Sequence, residues 1–202
     1  MSRIIVDAVR NSSASTDGIT LASDGSVTIP GNATCSGTAT GFGGGKILQV
    51  KQTKLTSAVS ITGVTSYTNI SGLSVDITPA STSNKILVMV QMQASTGGEA
   101  IFKLQKSTSS ATTDIGNSTA GAHTSFHGLF GNSNRSHYYD LESISFNFLE
   151  DDLQSTDAHT FKVQWSNITN VSTYLNRTAY SATGTHYSYS GSSSITVMEV
   201  SA

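Results

Sequence analysis

The chain has 202 residues and a net charge of −2, and only 12% of its residues are charged, against about 25% in an ordinary domain. It has no block of lysine or arginine, which argues against the basic face that nucleic-acid binding needs. With Cys35 as its single cysteine it cannot form an intrachain disulfide. No apolar run approaches the roughly 20 residues of a membrane span. We therefore expect no membrane insertion, no signal peptide, and folding in a cytoplasm.

The missing charge is replaced by hydroxyl groups, because the chain contains 34 serines and 27 threonines. Threonine favours strands and serine favours turns, whereas the strong helix formers are scattered along the sequence. The composition therefore predicts an all-β protein with a hydroxyl-rich surface.

The first 45 residues differ from the rest. ITLASDGSVTI (19–29) predicts two short strands joined by a turn at Ser23, Asp24 and Gly25. So few apolar residues cannot form a core. We expect residues 1–45 to be an attachment arm or stem that packs against copies of itself or against a larger assembly.

A glycine cluster, GFGGGK (41–46), separates this arm from the remainder of the chain. A phosphate-binding loop needs Ser or Thr after Gly-Lys and then a helix, but Ile47 follows Lys46 and the next residues are typical of a strand. The cluster is therefore predicted to be a flexible hinge. Its residues are Gly41, Gly43, Gly44 and Gly45.

Residues 46–202 predict a β-sandwich or jelly-roll-like head domain. Apolar, β-branched and aromatic residues recur in short runs with turn residues between them, and no stretch has helical periodicity. The predicted strands are 46–54, 73–78, 85–93, 100–106, 126–130, 138–150, 159–165, 172–177 and 194–200.

Two strands have apolar residues on both faces. Leu87 and Met89 lie opposite the main apolar face of the 85–93 strand, and Met198 and Val200 lie opposite that of the last strand. We expect a second surface, such as a symmetric partner, to cover them. In the 138–150 strand the apolar residues change faces after Leu141, which predicts a bulge near Glu142 and Ser143.

The sequence offers little support for catalysis or metal binding. His123 and His127 have a metal-ligand spacing only on a helix, and their surroundings are rich in glycine. A symmetric trimer that brings one histidine per chain to its axis remains an alternative. The acidic segment 150–159 is interpreted as a solvated loop, with calcium binding as the alternative. We expect no enzyme activity, no resident metal and no cofactor.

Aromatic and amide-rich loops supply the remaining signal. Tyrosine has an apolar ring face and a polar tip, so it can stack on a sugar ring and hydrogen-bond to it. Ordinary packing of the loops is the alternative. The candidate receptor-contact residues are His123, His127, Asn134, His137, Tyr138, Tyr139, Tyr180, His186, Tyr187 and Tyr189.

Several segments resemble a known family. SNKILV (83–88), ISFNFLEDD (144–152), HTFKVQW (159–165), TYLNRT (173–178) and SSITVMEVSA (193–202) are similar to the C-terminal jelly-roll-type domains of tailed-phage fibres, particularly those of marine and cyanobacterial phages. TIPGNATCSGTATG (28–41) resembles the stem repeats that precede such tips. The resemblance covers most of the chain, and it carries no catalytic residues.

The resemblance implies a homotrimeric virion protein whose residues 1–45 attach to other virion proteins and whose head binds a glycan or lipopolysaccharide on the host surface. Fibres usually have a longer shaft than the segment before this head. A short fibre, a spike and a capsid decoration protein that clamps capsomers through its arm therefore remain open. A glycan-cleaving enzyme is the alternative of another class.

Overall fold

The structure, a computed structural model, describes residues 6–10, 12–13, 15–16, 18–30, 46–117, 126–131, 139–168, 170–180 and 187–202. The chain divides into two compact units, Met1–Gly43 and Gly44–Ala202, and each is described by itself. The described residues form no helix, and hence none of the length and hydropathy that a membrane span requires. The hinge glycines Gly41, Gly43, Gly44 and Gly45 lie outside the described residues, so the hinge and the boundary after residue 45 stay predictions.

The first unit contains a three-stranded antiparallel sheet of β1 (Ala8–Val9), β2 (Ile19–Leu21) and β3 (Val27–Thr28). A tight turn joins β2 to β3. Gly25 has φ of +86°, a conformation that glycine adopts without steric cost. The Ser26 amide also donates a hydrogen bond to Asp24 Oδ1 at 2.8 Å. The predicted pair of strands and its turn are confirmed.

This small sheet has no buried residue among those described. Val9, Leu21 and Val27 are 52%, 39% and 58% exposed. A small sheet needs a packed apolar face to be stable by itself. The described residues thus form no packed apolar face, and the role of residues 1–45 as an attachment arm stays a prediction.

The second unit is a sandwich of two antiparallel sheets. Its strands are β4 (Ile47–Leu55), β5 (Val59–Thr62), β6 (Thr68–Ile77), β7 (Lys85–Thr96), β8 (Ala100–Ser107), β9 (Thr112–Asp114), β10 (Gly128–Phe130), β11 (Glu142–Glu150), β12 (His159–Asn167), β13 (Ser172–Leu175) and β14 (Ser193–Val200). The terminal sheet, which holds the first and last strands of the unit, has the order β11–β7–β14–β4. In the same sheet β13 pairs with the end of β7 beyond β14, and β5 pairs with β13. The internal sheet has the order β6–β12–β8, with β9 and β10 both on the free edge of β8.

The pairing of these strands is nested. β4 pairs with β14, β5 with β13, β6 with β12, β7 with β11, and β8 with both β9 and β10. The unit is thus one long antiparallel ribbon that is folded back on itself into two packed sheets, the arrangement of a jelly roll. The predicted all-β, sandwich-like fold class is confirmed.

The core lies between the inner faces of the two sheets. Val88 and Val90 of β7 face it from the terminal sheet, and Phe102, Phe161 and Trp165 face it from the internal sheet. All five are at most 3% exposed. Since burying one such side chain stabilises a fold by about 1.5–3 kcal/mol, this layer can hold the unit together without a disulfide.

Each of the nine predicted strands overlaps an observed one. The short strands β5 and β9 were missed, because VSIT and TTD are too short and too rich in hydroxyl groups to stand out from loops. The predicted bulge near Glu142 and Ser143 is wrong. β11 pairs with β7 in unbroken register from Glu142 to Glu150, and the apolar residues change faces at Leu141 because the strand begins only after it.

The sandwich has two distinct ends. At the Lys46 end, β4 begins and β14 finishes, with Val200 opposite Ile47 and the Ser201 amide bonded to the Lys46 carbonyl at 2.9 Å. At the opposite end, β4 and β13 finish, at Leu55 and Leu175, and β11 and β14 begin, at Glu142 and Ser193. We call it the tyrosine end, because Tyr139, Tyr180 and Tyr187 belong to the connections from β10 to β11 and from β13 to β14.

A buried carboxylate ties the Lys46 end together. Glu199 is fully buried and accepts hydrogen bonds from Gln49 Nε2 at 2.6 Å, from Asn84 Nδ2 at 2.6 Å and from the Ala80 amide at 2.7 Å. Burial alone raises the pKa of Glu199, but these hydrogen bonds outweigh it and hold the pKa below the usual 4.5. The carboxylate therefore stays ionised and fixes the 78–84 loop to β4 and β14.

Candidate functional site

Three of the predicted contact residues come together at the tyrosine end. The ring centroid of Tyr139 is 4.9 Å from that of Tyr180 and 5.3 Å from that of Tyr187, within the range of attractive aromatic pairs. The three rings line a hollow of about 350 Å³, which we call the tyrosine hollow. Since Tyr139 and Tyr187 are 50% and 54% exposed, the hollow opens to solvent.

A buried threonine positions two of these tyrosines. The Thr178 hydroxyl lies 3.1 Å from the Tyr180 carbonyl oxygen and 2.9 Å from that of Tyr187, and it accepts a hydrogen bond from the Tyr189 amide at 3.3 Å. The Thr178 amide in turn donates to the Tyr189 carbonyl at 3.1 Å. One side chain thus joins both sides of the loop that carries Tyr180 and Tyr187.

A buried asparagine anchors the same loop to the sandwich. Asn176 Nδ2 donates to the carbonyl oxygens of Leu55 and Ser57 at 2.8 and 2.9 Å, and Asn176 Oδ1 accepts from the Ser193 hydroxyl at 2.6 Å. Its φ of +62° is one that asparagine tolerates better than most residues. The chain can therefore turn sharply out of β13 at this position.

Tyr187 has an unusual backbone conformation. Its φ is +67°, in the left-handed region that a bulky side chain rarely adopts. Such a conformation costs on the order of 1–3 kcal/mol and persists only where surrounding contacts enforce it. Here the bond from Thr178 to the Tyr187 carbonyl and the contact with Tyr139 enforce it, and the result is a ring placed at the hollow.

Among the described residues that line it, the chemistry of the hollow is aromatic and neutral. Its lining residues offer ring faces, ring edges and phenol hydroxyls that both donate and accept hydrogen bonds. Its volume lies at the small end of ordinary ligand sites, which span roughly 300–1,000 Å³. A compact ligand with apolar C–H faces and surrounding hydroxyl groups, as a sugar has, matches this lining.

His127 and Tyr189 were predicted as contact residues but do not line the hollow. The His127 ring packs against Phe146 and Phe148, with centroid distances of 5.6 and 6.2 Å, and its Nδ1 accepts from the Leu104 amide at 3.3 Å. Burial lowers the pKa of His127 below 6.5, against the opposing charge of Asp114. Tyr189 exposes its ring and contributes its backbone to the Thr178 bonds.

The remaining predicted contact residues lie outside the described residues, and their role stays a prediction. They are His123, Asn134, His137, Tyr138 and His186.

The acidic segment 150–159 lies at the Lys46 end. Glu150 Oε1 pairs with Lys106 Nζ at 2.8 Å, and both side chains are at most 10% exposed. Lys106 also donates to the Asp152 carbonyl at 2.6 Å, and the Asp152 amide donates to Glu150 at 3.2 Å. Within the described ranges, no three metal-ligating side chains gather in a way that could hold an ion.

The outer face of the terminal sheet carries exposed apolar residues. Val50, Met198, Leu87 and Leu149 lie side by side across all four main strands, and we call them the apolar row. Val50 and Leu149 are 51% and 46% exposed, and neighbouring Met89 is 42% exposed. Within the described part of one chain, therefore, nothing covers this face fully, and the predicted covering partner stays a prediction.

The sequence did not predict the buried residues that hold the tyrosines of the hollow in place. Thr178 and Asn176 are each 2% exposed, and they stand in an Asn-Arg-Thr triplet that looks like any other hydroxyl-rich stretch of this chain. Only the meeting of β13 and β14 with the β4–β5 connection shows that these side chains hold the loop.

No protein-family model matches the sequence, and no curated protein matches it. The geometry of the chain is therefore what bears on its function.

Proposed function

We propose that the chain is a structural protein of a tailed-phage virion, a trimeric fibre or spike, whose sandwich binds a glycan of the host surface in the tyrosine hollow. The observation that carries this proposal is the tyrosine hollow itself, open to solvent at the end of the sandwich opposite Lys46. The resemblance to phage-fibre tips and the hydroxyl-rich, weakly charged composition add to it.

The position of the hollow supports a role in attachment. The second unit begins at the Lys46 end, and the hollow lies at the opposite end of that unit. The Thr178 and Asn176 bonds hold the rings in place before binding, which reduces the entropy lost on binding. Binding by one hollow is expected to be weak and to gain strength when several copies act together.

The first experiment measures glycan binding directly. We expect the purified full-length chain to bind members of an array of bacterial lipopolysaccharides and capsular polysaccharides. Tyr139→Ala and Tyr187→Ala should each weaken that binding about tenfold, since a stacked aromatic pair contributes roughly 0.5–1.5 kcal/mol beyond the area it buries. Tyr189→Ala is the matched control, because it removes an equally exposed tyrosine outside the hollow.

Three results would contradict the proposal. One is no binding to any member of the array. Another is equal binding by the Tyr139→Ala variant and the wild type. The third is recovery of shortened polysaccharide after incubation, which would favour the glycan-cleaving alternative instead.

The apolar row supports the trimeric state. Exposed apolar patches on the face of a sheet mark contact surfaces, and this one spans the whole width of the terminal sheet.

Light scattering should give about 63 kDa, three times the 21.1 kDa of one chain. Val50→Lys combined with Leu149→Lys should shift the mass toward the monomer, whereas Ser71→Lys on the internal sheet should not. A wild-type mass of 21.1 kDa would contradict a trimer that is stable in solution.

A second candidate function is a capsid decoration protein that clamps capsomers through its arm. The observation that favours it is the first unit, which buries none of its described residues and so needs an outside surface. Deletion of residues 1–45 should then abolish particle binding while the remaining chain keeps its unfolding transition. Virions without the protein should burst more easily but adsorb normally, whereas a fibre predicts the reverse.

A further inference from the structure

A second surface near the tyrosine hollow is built for hydrogen bonding. On the outer face of the terminal sheet, two adjoining depressions of about 450 and 480 Å³ share Gln52, Gln91 and Ser194 in their linings. Together they form one shallow groove, which we call the glutamine trough. It lies beside the apolar row, on the side toward the tyrosine end.

The strand register sets out the side chains of the trough in two rows. One row is Lys54, Ser194, Gln91 and Ser145, and the next is Gln52, Thr196, Met89 and Asn147. Strands lie about 4.8 Å apart, and alternate residues of a strand are roughly 6.8 Å apart. The trough therefore presents carboxamides and hydroxyls over four strands, interrupted by Met89 and flanked by Lys54.

Hydrogen bonds within the sheet already orient two of the glutamine side chains, and a third glutamine is free to bind a ligand. Gln52 Nε2 donates to Thr196 Oγ1 at 2.8 Å, and Gln93 Nε2 donates to Ser143 Oγ at 2.6 Å. Each bond fixes a carboxamide and leaves its carbonyl oxygen available to accept. The side chain of Gln91, on the central strand β7, has no hydrogen-bond partner among the described residues and can both donate and accept.

The charge of the trough limits its ligand. Lys54 is the one ionisable side chain among the described residues that line the two depressions. A grid of neutral donors and acceptors suits a ligand with many hydroxyl groups and little charge. A nucleic acid would need a denser array of cations, and an apolar peptide would leave the carboxamides unpaired at a cost.

The trough runs into the loops that carry the tyrosine hollow. Leu141 and Ser190, which line it, follow Tyr139 by two residues and Tyr189 by one. Gly191 also lines the trough, and a Cβ at this position would lie 2.9 Å from Gln93 Cγ and 3.3 Å from Leu141 Cδ2. The backbone at Gly191, in the connection from β13 to β14 that also carries Tyr180 and Tyr187, thus lies against the Gln93 side chain.

We infer that the glutamine trough is a second subsite for the glycan that the tyrosine hollow binds, so that the ligand is a neutral oligosaccharide chain extending over both and not a single terminal sugar. This inference rests on the proposed glycan-binding function. The hollow stacks on one sugar ring, and the trough forms hydrogen bonds with the following rings.

The test uses full-length protein and a length ladder of neutral oligosaccharides, prepared by partial hydrolysis of the polysaccharide that binds best on the bacterial array. Wild-type affinity should rise from disaccharide to octasaccharide. Gln91→Ala should lower octasaccharide affinity about fivefold, as the loss of one or two hydrogen bonds predicts, and leave disaccharide affinity unchanged. Tyr139→Ala should lower both. Gln154→Ala, an exposed glutamine at the Lys46 end, is the control.

Each of the other outcomes contradicts either the second subsite or the proposed glycan-binding function. If binding depends on Tyr139 but not on Gln91, or if affinity does not rise with length, the second subsite is wrong and the proposed function stands. If the wild type binds no polysaccharide on the array, the proposed function fails and the inference fails with it. If Gln91→Ala dissociates the oligomer in light scattering, the trough is a contact between copies and the inference is overturned.

Discussion

The two ends of the sandwich use their polar groups in opposite ways. At the Lys46 end, charged groups are buried and satisfied inside the fold, as Glu199 is by three donors and Glu150 by Lys106. At the tyrosine end, the buried anchors Thr178 and Asn176 are neutral. They hold loops whose aromatic rings face solvent.

This difference separates stability from binding. A buried carboxylate whose bonds all lie within the fold contributes to folding and offers little to a ligand, whereas the tyrosines contribute little burial and keep their faces free. Substitutions at two sites without shared partners usually have additive effects. We therefore expect changes at the Lys46 end to alter the free energy of unfolding without altering glycan affinity, and most changes at the tyrosine end to do the reverse.

The largest effect is expected from Glu199→Ala. It leaves the amide groups of Gln49 and Asn84 and the backbone amide of Ala80 without their acceptor. Hydrogen bonds to a charged group contribute roughly 1.5–3 kcal/mol each, so the free energy of unfolding should fall by about 4 kcal/mol. Urea unfolding at pH 7 measures this loss. Asp76→Ala, which removes an exposed carboxylate, should cost less than about 0.5 kcal/mol.

The same carboxylate predicts how stability depends on pH. Because the folded pKa of Glu199 lies below its usual 4.5, its contribution is present above the unfolded pKa and is lost as pH falls through the folded pKa. Wild-type stability should thus fall more steeply below about pH 4.5 than that of Glu199→Gln. Parallel curves for the two proteins would show that the carboxylate is not held ionised.

Lys106→Met should have the next largest effect. It leaves Glu150 as a buried charge without its partner, which typically costs about 3 kcal/mol or more. The double variant Lys106→Met with Glu150→Gln should recover part of the loss, because no charge then remains buried. Urea unfolding of both variants tests this, and glycan affinity should stay at the wild-type value in each. Equal stability of the two variants would contradict the role of the ion pair.

Thr178→Val should lower stability by less and affinity by more. It removes the hydroxyl that joins Tyr180, Tyr187 and Tyr189, a loss of about 1–2 kcal/mol. Glycan affinity should fall severalfold, because the rings lose their fixed positions. Thr160→Val, on β12, is the matched control and should change neither quantity by much. Unchanged affinity in Thr178→Val would mean that the loop holds its shape without this bond.

The fold could be predicted from the sequence largely because strands have a short period. Runs such as KILVMVQMQ and SITVMEV bury alternate residues, and that alternation is visible without any partner strand. The nested pairing of β4 with β14 was not predictable, since it joins segments at opposite ends of the unit. The false bulge near Glu142 has the same origin, because only the partner strand β7 defines where β11 begins.

The candidate site was predictable only in part. The loops of Tyr139, Tyr180 and Tyr187 could be recognised by their composition. That Tyr189 and His127 lie elsewhere depends on tertiary contacts, such as the packing of His127 on Phe146. The glutamine trough could not be seen at all, because its residues lie on four strands far apart in sequence.

The smallest effect on stability, and one of unusual sign, is expected from Tyr187→Gly. Tyr187 has φ of +67°, and glycine adopts this conformation without the steric cost that tyrosine has. The free energy of unfolding should stay the same or rise by up to about 1 kcal/mol, while glycan affinity falls about tenfold with the loss of the ring. Urea unfolding and the oligosaccharide titration measure the two quantities on one sample.

Tyr189→Gly is the control, and its expected effects on stability and affinity are the opposite ones. Tyr189 is just as exposed but has no such backbone conformation, so glycine should cost about 0.5–1 kcal/mol of stability there and leave affinity unchanged. If Tyr187→Gly loses affinity but not stability, and Tyr189→Gly loses stability but not affinity, the loop holds Tyr187 in a conformation that favours binding and disfavours folding. If Tyr187→Gly instead lost stability and kept its affinity, the ring would belong to the packing of the loop, and the tyrosine end would resemble the Lys46 end.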